Sequence, residues 1–252
     1  MNKTFVRPLT FGRMGNFLFQ AACAIAYAWK HRLAFTLPNT TNDPKGNPIY
    51  LQHLVEPFDD KLPHVTVTEH KFHYQPLPFK EEWRHKNIIL DGYWQSEKYF
   101  KEYRDRIIEA FGYPWEPQAG IVSVHVRRGD YLTIKKGGKF KHPPVPKDWL
   151  ESAMALFPDH GFRFFSDDIE WCEQNFGHRK GCAFSKGRTE EKDLIHMSWC
   201  EHHICSASTF SWWGAWLNQN PKKRVIIPMH WFSPGWGGLD TSDIVPPEWE
   251  RI

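Results

Sequence analysis

His125-Val126-Arg127-Arg128-Gly129-Asp130-Tyr131 directly follows the apolar run Ile121-Val122-Ser123-Val124. That places two guanidinium groups, an imidazole and a carboxylate at the end of a strand that reads as buried. Open α/β sheets bind ligands outside the carboxyl ends of their strands. A guanidinium is always charged, and its rigid fork of donors fits phosphate oxygens. The pair therefore points to capture of a dianionic group, with Asp130 close enough for chemistry. A solvated surface turn would carry the same residue types, but the apolar run holds this pair at the end of a core strand.

Two further strand ends follow. Ser206-Ala207-Ser208-Thr209-Phe210-Ser211 leads straight into a helical pattern. Its hydroxyls and the free N–H groups of the first helical turn can bind phosphate oxygens or simply cap the helix. Beside the arginine pair, diphosphate binding is the favoured reading. Asp167 and Asp168 end the strand Arg163-Phe164-Phe165. No Asp-x-Asp triplet occurs, so a metal-binding pair is not expected. Contact with guanine N–H groups and capping of the helix near Ile169 are the two roles left open. Gly12-Arg13-Met14-Gly15-Asn16 lacks the Gly-x-Gly-x-x-Gly fingerprint. It remains a glycine turn that lets backbone approach a ligand, and it would turn the Asn16 amide into a cleft. Cys200, His202, His203 and Cys205 match no zinc spacing, so no metal is expected.

These groups need elements to position them. Thr4–Leu9, Leu33–Leu37, Ile88–Leu90, Arg163–Phe165, His203–Cys205 and Val225–Ile227 read as strands. Asn16–Trp29, Ser96–Phe111, Asp148–Leu156, Glu190–Trp199 and Phe210–Leu217 read as helices, with Ser96 and Asp148 as caps. Pro38–Pro78 reads as loop, Gly137-Gly138 to Pro146 as a mobile loop, and Gly112–Pro117 as a linker. The alternation predicts an α/β protein of two Rossmann-like halves with parallel sheets. Residues 1–117 form the first domain and 118–252 the second.

The composition fits a soluble globular protein rather than a disordered one: 252 residues, 41% hydrophobic and 24% charged. A net charge of +3 and a pI near 8.5 suit anionic ligands or a membrane surface, without the basic stripe of a nucleic-acid binder. The 13 tryptophans include Trp231, Trp236 and Trp249 in the tail, which could stack on sugar but read better as packing. Five cysteines without Cys-x-x-Cys suit a reducing compartment. With no apolar run of membrane-spanning length and no signal peptide, a cytoplasmic location is expected.

The chain resembles the family 11 glycosyltransferases, the α-1,2-fucosyltransferases. His125–Tyr131 resembles their signature and Gly15-Asn16-Phe17-Leu18-Phe19-Gln20 their N-terminal motif. Asp91–Phe100, Ser166-Asp167-Asp168 with Trp171, and Ser208–Leu217 resemble three further blocks in the family's order. The resemblance implies a variant GT-B fold, GDP-fucose as donor, the 2-hydroxyl of a terminal galactose on a glycan as acceptor, inversion at the anomeric carbon, and neither metal nor cofactor. It implies an acceptor-side N-terminal domain and a donor-binding C-terminal one. It places Gly15, Asn16, His125, Arg127, Arg128, Asp167, Asp168, Ser208, Thr209 and Phe210 at the donor; Arg127, Arg128 and Asp130 are expected to be catalytic. Asp130 is the first candidate for the base and His142 the second. A lipid-linked acceptor would bring the protein to the inner face of the membrane. The chain departs from the family in its Phe17, where Gln is usual, and in its short length and reduced loops from Pro38 to Trp83. These departures bear on the acceptor. A fucosyltransferase of another linkage and a non-catalytic nucleotide- or glycan-binding protein on a transferase fold are the alternatives.

Overall fold

The computed structural model describes residues 3–39, 51–136, 138–234 and 236–252. The chain divides into two compact units: Met1–Gly112 with Leu239–Pro246, and Tyr113–Gly238 with Pro247–Ile252. Residues 113–117, read as a linker, fall in the second unit, where the Trp199 indole N–H donates to the Pro114 carbonyl at 2.8 Å.

Unit 1 runs β1 (Phe5–Pro8), α1 (Met14–Lys30), β2 (Ala34–Phe35), β3 (His64–Thr68), β4 (Asn87–Asp91) and α2 (Arg104–Phe111). Its strands are all parallel, in the order β2-β1-β4-β3. The alanine-rich α1 is buried along most of its length. Cys23, Ala24, Tyr27 and Ala28 form a core with Val6, Val67, Ile88, Leu90 and Trp94. Small side chains let the helix pack closely, and the tyrosine adds the larger buried area.

Strand β3 lies in the stretch read as loop, a correction. His64-Val65-Thr66-Val67-Thr68 alternates in period two with β-branched residues, but prolines on either side masked the pattern. Residues 40–50 of that stretch, and part of the reduced acceptor-side loops expected there, lie outside the described residues. The helix expected over Ser96–Phe111 is also corrected. Ser96 Oγ does accept the Lys98 N–H at 3.3 Å. Two 3₁₀ turns, Glu97–Tyr99 and Lys101–Tyr103, nonetheless precede the α-helical part. Between them Phe100 takes a non-helical backbone (φ −145°) and packs 6.0 Å from Phe19. Burying that ring outweighs continuous helical pairing.

Unit 2 contains β5 (Gln118–Val126), β6 (Lys135–Lys136), β7 (Lys139–Phe140), α3 (Lys147–Ala155), β8 (Gly161–Ser166), α4 (Ile169–Phe176), β9 (Cys182–Phe184), α5 (Glu190–Trp199), β10 (Cys200–Ile204), α6 (Thr209–Leu217), β11 (Val225–Ile227) and β12 (Glu250–Arg251). Six parallel strands run β12-β11-β10-β5-β8-β9. The chain starts at β5, builds outward through β8 to β9, then returns to the other side for β10, β11 and β12. That is the doubly wound order of a Rossmann sheet, and its topological switch point lies between β5 and β10. The core joins Val122, Val124 and Val126 to Leu150, Met154, Phe164, Phe176 and Ile226.

The segment read as a mobile loop carries the antiparallel β6–β7 hairpin, in which Gly138 supplies a left-handed turn (φ 76°); Gly137 lies outside the described residues. Asp148 sits inside the first turn of α3 rather than at its cap, with its carboxylate on the Trp149 N–H at 2.9 Å. In the tail, Trp231 and Trp249 are buried, and Trp249 packs 5.5 Å from Trp212 of α6. No described helix is long and apolar enough to cross a membrane.

Candidate functional site

The carboxyl ends of β5 and β10 are tied together at the switch point. Ser206 is fully buried. Its hydroxyl donates to the His125 carbonyl at 2.7 Å and accepts the Arg127 N–H at 3.0 Å. One residue on, the Ala207 carbonyl accepts the Tyr131 hydroxyl at 2.6 Å. The arginine motif is thus held at both ends against the loop entering α6. Ordinary strand pairing stops at Ile204↔Val124, and these side-chain bonds satisfy the backbone beyond it.

Both guanidinium groups are presented on this frame. Arg127 Nε and Nη2 donate to Asp130 Oδ1 at 2.9 and 2.6 Å, and Nη1 lies 3.1 Å from Asp167 Oδ2. Arg128 Nε donates to Asp168 Oδ2 at 2.9 Å, and its guanidinium carbon stands 4.2 Å from the centre of the Trp171 ring. The backbone N–H of Arg128 donates to Asp167 Oδ1 at 2.9 Å. Asp168 also caps α4, accepting the Trp171 N–H at 3.2 Å. Gly129 leaves room for this arrangement, since a Cβ there would lie 2.5 Å from Asp167 Oδ2. Two cations and three carboxylates therefore share the end of β5.

The hydroxyl loop has its own internal bonding. Ser208 caps α6, accepting the Phe210 N–H at 3.3 Å. Ser211 Oγ lies 3.2 Å from the carbonyls of both Ser206 and Ser208. Thr209 and Phe210 open the helix, half-buried. His125 sits beneath, its ring 5.4 Å from that of Phe210 and its Nδ1 buried without a partner. Burial, reinforced by the Arg127 charge, lowers His125 to about 3, so the ring is neutral.

The two base candidates differ. Asp130 is 40% exposed and neutralised by Arg127. His142 stacks flat on Tyr131, with ring centres 4.5 Å apart. Its Nδ1–H donates to the Trp231 carbonyl at 3.0 Å, which leaves Nε2 as the acceptor atom. Burial lowers it to about 4.

Unit 2 thus brings together His125, Arg127, Arg128, Asp130, Asp167, Asp168, Ser208, Thr209 and Phe210, with His142 reached through Tyr131. Gly15 and Asn16 belong to unit 1. Asn16 Oδ1 accepts from Gln95 Nε2 at 2.8 Å, and Gly12 (φ 78°) is required because a Cβ would meet Asn16 Nδ2 at 2.2 Å. Ser206 and Tyr131 as clasps, and Trp171 as the surface under Arg128, escaped the sequence reading. The only signal was a serine directly after an apolar strand. Cys200, His202, His203 and Cys205 do not gather as ligands. His203 is bracketed by Ser123 and Asn218, each at 2.7 Å. Among the described residues, the three groups close enough to hold a cation are His160, Glu201 and His202. There the Arg224 N–H donates to His202 Nδ1 at 3.1 Å. That fixes the ring proton on Nε2, the nitrogen nearest Glu201, and leaves no lone pair for a metal.

The family model for glycosyl transferase family 11 matches residues 71–252. An α-1,2-colitosyltransferase of Escherichia coli is 31% identical, over 77% of this chain and 72% of its own length. The galactoside α-(1,2)-fucosyltransferase 1 of Alouatta belzebul is 28% identical, over 93% of this chain and 74% of its own. Among solved structures, the fucosyltransferase NodZ from Bradyrhizobium aligns at TM-score 0.47 and 15% identity, over 85% of this chain and 93% of that one.

Proposed function

This chain belongs to glycosyl transferase family 11, and on that footing we propose that it transfers fucose from GDP-fucose to the 2-hydroxyl of a terminal galactose on a glycan. The observation that carries the proposal is the Arg127–Arg128 pair at the switch point of unit 2. Glycosyl transfer passes through an oxocarbenium-like state while negative charge grows on the departing group. Fixed cations and N–H dipoles aimed at that charge lower the barrier. Arg127 and Arg128 supply the cations, and the start of α6 supplies the dipole.

Both arginines are neutralised by aspartates, so a diphosphate must exchange with carboxylate oxygens on them. Asp167 and Asp168, once displaced, can accept from guanine N–H groups. The acceptor hydroxyl loses its proton late, to Asp130 first, or to Nε2 of His142. Attack opposite the departing diphosphate inverts the anomeric carbon. In this reading the arginine pair takes the charge-neutralising role, so no metal is required. A cytoplasmic reaction on a lipid-linked acceptor suits the pI of 8.5 and the five free cysteines.

A second reading of the donor is favoured by the Escherichia coli relative's name. Colitose is fucose without its 3-hydroxyl, and the arginine pair would treat either sugar's diphosphate alike. The test incubates the protein with GDP-fucose or GDP-colitose, EDTA and galactose-terminated oligosaccharides, with linkage read by NMR. An α-1,2-fucosyl product in EDTA supports the first reading, and product from GDP-colitose alone supports the second. GDP binding with no product from either donor would favour a binding protein.

A further inference from the structure

Unit 1 holds two aromatic rings in water at the carboxyl edge of its sheet. Phe11 is 38% and Tyr93 40% exposed, and their centroids lie 5.9 Å apart at 51°. They follow the adjacent central strands β1 and β4, whose pairing continues through the Leu9 N–H to the Leu90 carbonyl at 2.9 Å.

Polar side chains fix the backbone at both rings: Glu69, half-buried, and Gln20, fully buried. On one side, Trp94 takes a left-handed backbone (φ 55°), which is strained for a bulky residue. The Glu69 carboxylate, just past β3, fixes that turn by accepting the Tyr93 N–H at 2.7 Å and the Trp94 N–H at 3.1 Å. A Cβ at Gly92 would lie 2.4 Å from Glu69 Cβ. On the other side, Gln20 of α1 is fully buried. It accepts the Phe11 N–H at 3.1 Å and donates to the Phe11 carbonyl at 3.4 Å. A left-handed backbone at Trp94 and a fully buried glutamine, which together hold two neighbouring aromatic rings in water, point to a ligand for that pair.

We infer that Phe11 and Tyr93 form a stacking platform for one pyranose ring of the acceptor, a galactoside. This rests on the transferase reading. The C–H-lined face of galactose carries partial positive charge and matches the negative face of an aromatic ring. Two side chains fall far short of the roughly 1,200 Å² that a stable protein interface buries, and they match a single sugar.

The experiment compares the full chain with Phe11→Ala, Tyr93→Ala and Tyr93→Phe, using GDP-fucose and a β-galactoside disaccharide. Each alanine variant is expected to raise the acceptor KM about tenfold. The donor KM and GDP Kd stay as in the wild type, and Tyr93→Phe stays close to wild type. Wild-type transfer with an unchanged acceptor KM in both alanine variants would overturn the platform and leave the transferase reading intact. Absence of both transfer and GDP binding in the wild type would instead defeat that reading. Saturation-transfer NMR with the disaccharide tests the platform without turnover. Loss of the galactoside signal in the alanine variants supports it, and retention in both overturns it.

Discussion

Each guanidinium at the end of β5 already has a carboxylate partner, so in the proposed transfer its value to a diphosphate would depend on fork geometry as well as charge. Arg128→Ala is expected to lower kcat/KM at least a hundredfold, ~3 kcal/mol. Arg128→Lys should recover little, because an ammonium cannot lie flat on Trp171 while donating to two oxygens. Steady-state kinetics with GDP-fucose check both, and near-normal turnover in the alanine variant would remove the phosphate role. Asp130→Asn separates two duties: loss of kcat with an unchanged donor KM marks the base, whereas a raised donor KM marks an orienter of Arg127. The buried histidines give a pH dependence of stability. His125 at about 3 and His142 at about 4 remain neutral when folded, while the unfolded chain takes up protons below about 6.5. Stability is therefore complete above pH 6.5 and falls as the pH drops toward those values. The loss is about 2 kcal/mol for each histidine between pH 7 and 5, measurable by urea melts at the two values. At this scale the motif itself was legible because its residues are consecutive. Asp167 and Asp168 were also singled out, but their ion pairs with the arginines, and the Trp171 ring under Arg128, were not, because these contacts span some 40 positions of chain.

Elements position these groups through a few contacts that single changes would expose. Ser206→Ala leaves the His125 carbonyl and the Arg127 N–H buried and unpaired. It should lower stability by about 1–3 kcal/mol and raise the donor KM, read by melts and kinetics together. If the donor KM stays unchanged, the clasp has no bearing on Arg127. Gly214 of α6 faces α5 so closely that a Cβ would lie 2.4 Å from Met197 Sδ. Gly214→Ala is expected to cost about 1–3 kcal/mol through overpacking, softened where the flexible methionine can move. The long elements were legible: α1, α5, α6 and the apolar strands β5, β8 and β11 carry strong periodicity or unbroken apolar runs. The short edge strands β9 and β12 were not, because two or three residues hold no period. The kinked passage from Ser96 to α2 escaped because burial of Phe100, a tertiary term, decides it.

At the scale of the whole molecule, the chain passes from unit 1 to unit 2 after Gly112, returns for Leu239–Pro246, and goes back to supply β12. Asp243 secures the returning segment: it accepts the Tyr74 N–H at 3.0 Å and pairs with Lys98. His73 and Asp240 add a contact at 3.4 Å. Asp243→Ala should loosen this segment by about 1–3 kcal/mol and raise its cleavage rate in limited proteolysis, with cleavage elsewhere unchanged. A single division of the sequence could not reveal such a return, because its sign is one aspartate meeting residues far back in the chain. The same route bears on manufacture of the protein. A ribosome delivers unit 1 first, but the piece carrying Asp243 emerges only after the stretch through Gly238 has been made. Throughout that interval the Tyr74 amide and the Lys98 ammonium wait without this partner, so the first-born half of the molecule is among the last to be completed.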